Sequence, residues 1–243
     1  MSAPVFLVET AALAGERVVL DGPEGRHAAT VRRLRAGERI DLTDGAGLVV
    51  EGVVSGVERD ALSVDVLARR EVPAPAPRLV VVQALPKGER GELAVETMTE
   101  AGVDEIVPWA AERCVTRWKA ERREKALGRW RNAAREAAKQ ARRVWLPHVT
   151  DLASTAAVAA RLRDAGAAYV LHEGATDRLS AAAPPATGDI VLVVGPEGGV
   201  SDTELATFAA AGAGGVLLGP TVLRTSTAGV AALAVMSSLT GRW

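Results

Sequence analysis

From residue 79 onward, short apolar runs alternate with longer stretches of helical periodicity. That alternation limits the possible folds more than any other feature of the chain. Residues 79–85, 105–109, 144–149, 167–171, 190–194 and 215–218 read as buried strands. Residues 91–101, 120–141, 152–165, 201–211 and 225–239 read as helices. Strands that alternate with helices pair in parallel, because each crossover helix returns the chain to the same end of the sheet. The expectation is an α/β domain with a mainly parallel sheet covered on both faces, and a surface loop over 180–188 around Pro184-Pro185.

The pattern breaks at residues 71–78, where Pro73, Pro75 and Pro77 stand at alternate positions. Proline lacks an N–H and has a fixed φ, so this stretch is expected to be a stiff connector outside helix and sheet. Before it, 5–8, 17–20, 39–42, 48–54 and 62–67 read as short strands, with turn chemistry at Asp44-Gly45 and Ala46-Gly47. Residues 24–34 place His27, Val31 and Leu34 at helical spacing. Three segments follow: a small β-rich domain over 1–70, a linker over 71–78 and an α/β domain over 79–243.

Composition removes several classes of function. No apolar run approaches the ~20 residues that span a bilayer. The opening residues lack the basic and apolar regions of a signal peptide. Cys114 is the single cysteine, and the three histidines lie far apart. A disulfide framework is excluded, and no metal site is expected. The net charge of −1 hides an uneven distribution. Residues 113–143 carry twelve Lys/Arg against three Asp/Glu, whereas 151–243 carry five against eight. A concentrated basic segment in a near-neutral chain suggests a local polyanion contact; a solvated helix face is the alternative.

Ligands of open parallel sheets bind outside the carboxyl ends of the strands. Three strand ends here carry unusual loops. The first is Leu171-His172-Glu173. The second is Val194-Gly195-Pro196-Glu197-Gly198-Gly199, followed by Ser201 and Glu204 in the spacing of a capping box. The third is Leu218-Gly219-Pro220-Thr221-Val222-Leu223-Arg224, followed by Thr225, Ser226, Thr227 and Ala228 at the start of an apolar helix. Glycines at 195, 198 and 199 permit positive φ and close backbone approach to a ligand. Neither a P-loop nor a dinucleotide fingerprint is present. Arg224 offers a permanent planar cation for phosphate or carboxylate, and the hydroxyls after it can cap the helix. Two Gly-Pro loops on nearby strands suggest one pocket built from main-chain groups, suited to an adenine ring.

This C-terminal pair of motifs, V-G-P-E-G-G-V-S-D-T-E-L and L-G-P-T-V-L-R-T-S-T-A, resembles the SPOUT superfamily of S-adenosylmethionine-dependent methyltransferases. Over the whole chain the resemblance is to the bacterial small-subunit ribosomal RNA (uracil-N3) methyltransferase family, RsmE. His27 through Glu38 resembles its PUA-like RNA-binding domain. Lys87 through Arg90, Thr99 through Val103, Pro108, Glu112 through Val115, Arg129-Trp130, Glu136 through Ala138, Gln140 and Arg143 resemble segments of its catalytic domain.

The resemblance implies a deep trefoil knot over about 190–230, a rare exception to unknotted topology. It also implies a homodimer with the 225–239 helix at the interface. S-adenosylmethionine would sit among Leu171, His172, Glu173, Val194, Gly195, Pro196, Glu197, Gly198, Gly199, Leu218, Gly219, Pro220, Leu223, Thr225, Ser226 and Ala228. The substrate would be 16S ribosomal RNA or the small subunit, and the location cytoplasmic. Another RNA nucleotide as target, or a non-catalytic RNA-binding role, are the competing functions.

Uracil N3 is a poor nucleophile until its proton leaves, and it lies on the pairing edge, so the base must be unpaired or flipped. Arg224 is the candidate to stabilise charge on the uracil oxygens or hold a neighbouring phosphate. Glu197 is the candidate base beside Glu173, although either carboxylate could instead orient its loop. His27, Arg32, Arg33, Arg35, Arg122, Arg123, Arg129, Arg135, Arg142 and Arg143 are the candidate RNA contacts. The chain departs from the family pattern at Val5, Thr97, Thr221 and Ser226. Ser226 stands where a glutamate is usual, so no role of that carboxylate operates here.

Overall fold

A computed structural model describes residues 3–243. The chain divides into two compact units. The first comprises the described residues up to Ala74 together with Ala138–Leu146; the second comprises Pro75–Ala137 and Pro147–Trp243.

The first unit is built on five strands: β1 (Val5–Leu7), β2 (Arg17–Leu20), β3 (Arg39–Thr43), β4 (Leu48–Val57) and β5 (Leu62–Glu71). Their order is β1-β3-β4-β5-β2, antiparallel except for the β1–β3 pair. Alternation along the strands sends Val18, Leu20, Ile40, Leu42, Val50, Val54, Leu62 and Val64 into one core with Phe6, Leu13 and Ala28. The β3–β4 turn forms as its sequence suggests. Asp44 Oδ1 accepts from the N–H groups of Ala46 and Leu48, and Gly45 and Gly47 take positive φ. The helical stretch expected over 24–34 is shorter: α1 (Gly22–Arg26) runs into a π-type turn, His27–Val31.

The second unit holds β6 (Arg78–Ala84), β7 (Glu105–Trp109), β8 (His148–Val149), β9 (Ala167–Leu171), β10 (Asp189–Val194) and β11 (Gly214–Val216). Its helices are α2 (Arg90–Glu100), α3 (Ala120–Gln140, of which the residues from Ala138 belong to the first unit), α4 (Thr155–Asp164), α5 (Asp202–Ala210) and α6 (Thr225–Leu239). All six strands are parallel, in the order β11-β9-β10-β6-β7-β8. The central strands are apolar throughout because both faces are covered. Leu79 to Val82 and Ile190 to Val193 are completely buried. The chain is thus an α/β protein with a parallel sheet in one unit and a small β-rich unit at its N-terminus.

The structure revises three expectations. A boundary at 71–78 leaves Ala138–Leu146 in the α/β domain, but this segment packs with the first unit. The reason is backbone pairing at the β3–β4 turn: Gly47 N donates to Val144 O, Leu146 N donates to Gly45 O, and Trp145 Nε1 donates to Val72 O. With 144–146 so engaged, the strand expected over 144–149 keeps only His148–Val149. Second, the proline stretch is not wholly outside the sheets, since β5 runs to Glu71 and β6 starts at Arg78. Third, β11 ends at Val216, because Leu217 leaves to exchange hydrogen bonds with Asp177 and Leu179.

Candidate active site

Strands β11, β9 and β10 are neighbours, so the three loops at their carboxyl ends meet. They enclose a cavity of about 600 Å³, within the size range of cofactor sites. Leu171, His172 and Glu173 line it from the first loop. Val194, Gly195, Pro196, Glu197, Gly198 and Gly199 line it from the second. Leu218, Gly219, Pro220, Leu223, Arg224, Thr225 and Ala228 line it from the third and from α6. Of the residues proposed from sequence for the cofactor, Ser226 alone does not line the cavity; it is buried inside the first turn of α6.

The glycines are required for reasons that differ among them. Only Gly199 has positive φ, 74°. A Cβ on Gly195 would lie 2.7 Å from Val200 Cγ2. A Cβ on Gly198 would lie 3.1 Å from Arg113 Cβ and 3.2 Å from Arg113 O. The close approach at 198 is therefore to another loop of the protein, not only to a ligand. The capping box forms: Ser201 Oγ accepts from Glu204 N, and Glu204 Oε2 accepts from Ser201 N. The hydroxyls after Arg224 do not cap α6. Arg224 is itself the N-cap residue, its carbonyl accepting from Thr227 N and Ala228 N.

The two loop carboxylates stand differently. Glu197 Oε1 accepts from Lys87 N at 3.1 Å, tying the second loop to the turn after β6. Glu173 is exposed and makes no hydrogen bond or ion pair among the described residues. His172 Nδ1 accepts from Gly174 N, so the imidazole shapes its own loop. The guanidinium of Arg224 is exposed and has no carboxylate partner among the described residues. Below the loops, burial pushes the Cys114 thiol up from its usual range, with the Glu197 charge adding to the effect.

Sequence reasoning missed Arg113, Val200, Asp202, Leu217, Thr221 and Val222, which also line the cavity. Five of them sit beside named residues and follow from the loops themselves. Arg113 belongs to the loop after β7, 85 residues before its Gly198 contact, and no periodicity or motif links the two.

The candidate RNA residues fall in both units. In the first, Arg32, Arg33, Arg35 and Arg142 are exposed, with Arg33 and Arg142 at positive φ. His27 is half-buried with its ring edge-on to Phe6, and Arg143 is half-buried. In the second, Arg122, Arg123, Arg129 and Arg135 are exposed on α3. Arg129 is paired with Glu92 at 3.3 Å.

Comparison with known proteins agrees with this arrangement. The RNA methyltransferase domain family matches residues 73–237, and the RNA methyltransferase PUA domain family matches residues 20–67. The ribosomal RNA small subunit methyltransferase E of Mycobacterium bovis is 49% identical, over 100% of this chain and 94% of that protein. The crystal structure of the enzyme of the same name from Neisseria gonorrhoeae, bound to S-adenosyl methionine, superposes with a TM-score of 0.84. It is 27% identical and covers 98% of each chain. A Legionella pneumophila methyltransferase in complex with the same cofactor superposes at 0.85, also with 27% identity and 98% coverage of each chain. A pocket at the carboxyl ends of a parallel sheet, a β-rich companion unit and matches along the full length have one explanation: the chain belongs to the ribosomal RNA small subunit methyltransferase E family.

Proposed function

We propose that this protein methylates N3 of a uridine in 16S ribosomal RNA of the small subunit, using S-adenosylmethionine bound among the three strand-end loops. The observation that carries the reading is the convergence of both Gly-Pro loops and the Leu171–Glu173 turn on one cavity. The cavity fits such a cofactor. Gly195, Gly198, Gly199 and Gly219 leave room beside aliphatic side chains such as Leu171, Val194, Leu218 and Leu223, and its carboxylates Glu173, Glu197 and Asp202 suit a sulfonium and an ammonium. When bound, the cofactor supplies an electrophilic methyl group.

The chain's own residues do the rest. Arg224 has no carboxylate within ion-pair reach among the described residues, so its planar donors are available to charge on uracil O2 and O4. Lys87 N–H holds one oxygen of Glu197, which orients the carboxylate. The other oxygen is assigned the proton that leaves N3. Alignment of the base against the walls supplies much of the acceleration, because the reacting atoms are held in place and shielded from water. The exposed arginines of the first unit and of α3 hold RNA phosphates. Residues 190–230 are assigned the trefoil knot and α6 a place in a homodimer. With ribosomal RNA as substrate, the protein acts in the cytoplasm.

The test is nucleoside mass spectrometry of small-subunit RNA from a strain lacking the gene, joined to calorimetry with S-adenosylmethionine. Loss of one N3-methyluridine and metal-independent cofactor binding are expected. An unchanged nucleoside profile overturns the substrate; a protein that binds no cofactor overturns the enzyme.

A further inference from the structure

The loop after β7 brings a second unpaired cation to the cavity. Arg113 lies across Gly198, with Nη1 3.4 Å from Gly198 O. Its guanidinium is exposed and has no carboxylate within ion-pair reach among the described residues. Its backbone, by contrast, is fixed on both sides. Glu112 N donates to Glu204 Oε1 at 2.9 Å, and Thr116 Oγ1 donates to Pro86 O at 2.7 Å. Between them Cys114 is buried, and Arg117 Nη2 closes the turn on Glu112 O.

Glu204 is the centre of this anchorage. Only 3% exposed, it accepts from Ser201 N, Ser201 Oγ, Thr155 Oγ1 and Glu112 N. Trp109 Nε1 in turn donates to Thr155 Oγ1. One buried carboxylate thus ties the start of α5, the start of α4 and the Arg113 loop together. A cation with a fixed base, whose head makes one long hydrogen bond to Gly198 O and no ion pair among the described residues, is already placed for an anion, and little ordering entropy is lost when the anion arrives.

We propose that Arg113 binds the RNA backbone phosphate beside the target uridine, and that Glu204 is the positioning residue that sets where Arg113 stands. The assignment rests on the function proposed above. S-adenosylmethionine carries net positive charge, which the three cavity carboxylates match and an arginine opposes. RNA presents the opposite case, a base for Arg224 and a phosphate for a second guanidinium at the rim. Arginine serves here better than lysine, because its planar fork meets two phosphate oxygens at once.

The experiment compares the full-length parent with Arg113→Ala, Arg113→Lys, Glu204→Gln and the Arg113→Ala/Glu204→Gln double variant. Three quantities are read: S-adenosylmethionine affinity by calorimetry, affinity for unmodified small subunits across a salt series, and the single-turnover methylation rate at saturating subunits. Arg113→Ala is expected to weaken subunit binding roughly tenfold or more. The slope of log affinity against log salt should become shallower by about 0.7. Cofactor affinity should hold, and the saturated rate should stay within a few-fold of the parent. Arg113→Lys should restore the salt slope but not the full affinity. Glu204→Gln should weaken subunit binding, and the double variant should bind no worse than Arg113→Ala, because both changes remove one contact. Undiminished subunit affinity in Arg113→Ala overturns the proposal. So does a loss confined to S-adenosylmethionine, which would give Arg113 to the cofactor carboxylate. A parent that binds subunits but transfers no methyl group overturns the function instead, and the binding arm still decides Arg113.

Discussion

At the scale of single residues, the cavity separates groups that chemistry requires from groups that packing requires. Arg224 is proposed for the first kind: its backbone caps α6 while its side chain makes no hydrogen bond or ion pair among the described residues. Arg224→Lys keeps the charge and loses the fork. The expected cost is on the order of 2–4 kcal/mol in the transition state, with cofactor affinity little changed. Single-turnover methylation of small subunits with labelled cofactor measures it; parental rates in Arg224→Ala would pass the role to another residue. Gly198 belongs to the second kind. Its added Cβ would press on Arg113 Cβ and O at 3.1 and 3.2 Å, against a loop pinned at Glu112 and Thr116. Gly198→Ala should therefore cost about 1–2 kcal/mol of stability, as overpacking does, and weaken subunit binding together with it. Thermal unfolding and the salt-series titration read the two effects; an unchanged midpoint would mean the Arg113 loop yields freely.

At the scale of elements, two small connections hold large pieces in place. The capping box of α5 also grips the start of α4 and the loop after β7 through Glu204. Glu204→Ala removes a cap worth ~1 kcal/mol and leaves buried donors without an acceptor at ~1–3 kcal/mol each. A fall in the melting midpoint of several degrees is expected, and a change within error would show that water replaces the carboxylate. The second connection is Trp145. Its indole fills the space over Gly47, where a Cβ would lie 2.6 Å from Cζ2, and its Nε1 bonds Val72 O. Trp145→Ala should destabilise the first unit by roughly 2–4 kcal/mol while cofactor affinity persists. Hydrogen exchange resolved by segment tests this, with faster exchange expected in β3 to β5 and not in β9 and β10. Nothing in the local pattern of 138–146 announces this role. The segment reads as the end of a basic helix and the start of a strand, and its partners lie far earlier in the chain, as in the Thr43–Val144 contact with a separation of 101.

At the scale of the whole molecule, the apolar residues of α6 divide between buried and outward positions. Leu233 and Met236 are fully buried in the protein's own core, while Val230 and Val235 are half-buried and Leu239 is exposed. On α2, which packs against α6, Leu93 is also exposed. The outward residues support the proposed homodimer, with a twofold mass expected in sedimentation at micromolar concentration; a monomeric mass would leave them as surface. The order of strands and helices was legible from residue 79 onward because each element carries its own periodicity, and because Ser201 and Glu204 mark a helix start within four residues. The loops of the site were legible for the same local reason: Gly-Pro and its flanking residues are contiguous at the strand ends. Two features came only from tertiary structure, the placement of Arg113 on Gly198 and the return of 138–146 to the first unit. Each is a contact between segments distant in sequence, made by backbone carbonyls, N–H groups and a missing Cβ. Nearly every residue type carries the first two, so a sequence marks neither. Local patterning thus determined the elements and the composition of the cavity wall, whereas closure of the chain on itself decided which cation stands at its rim.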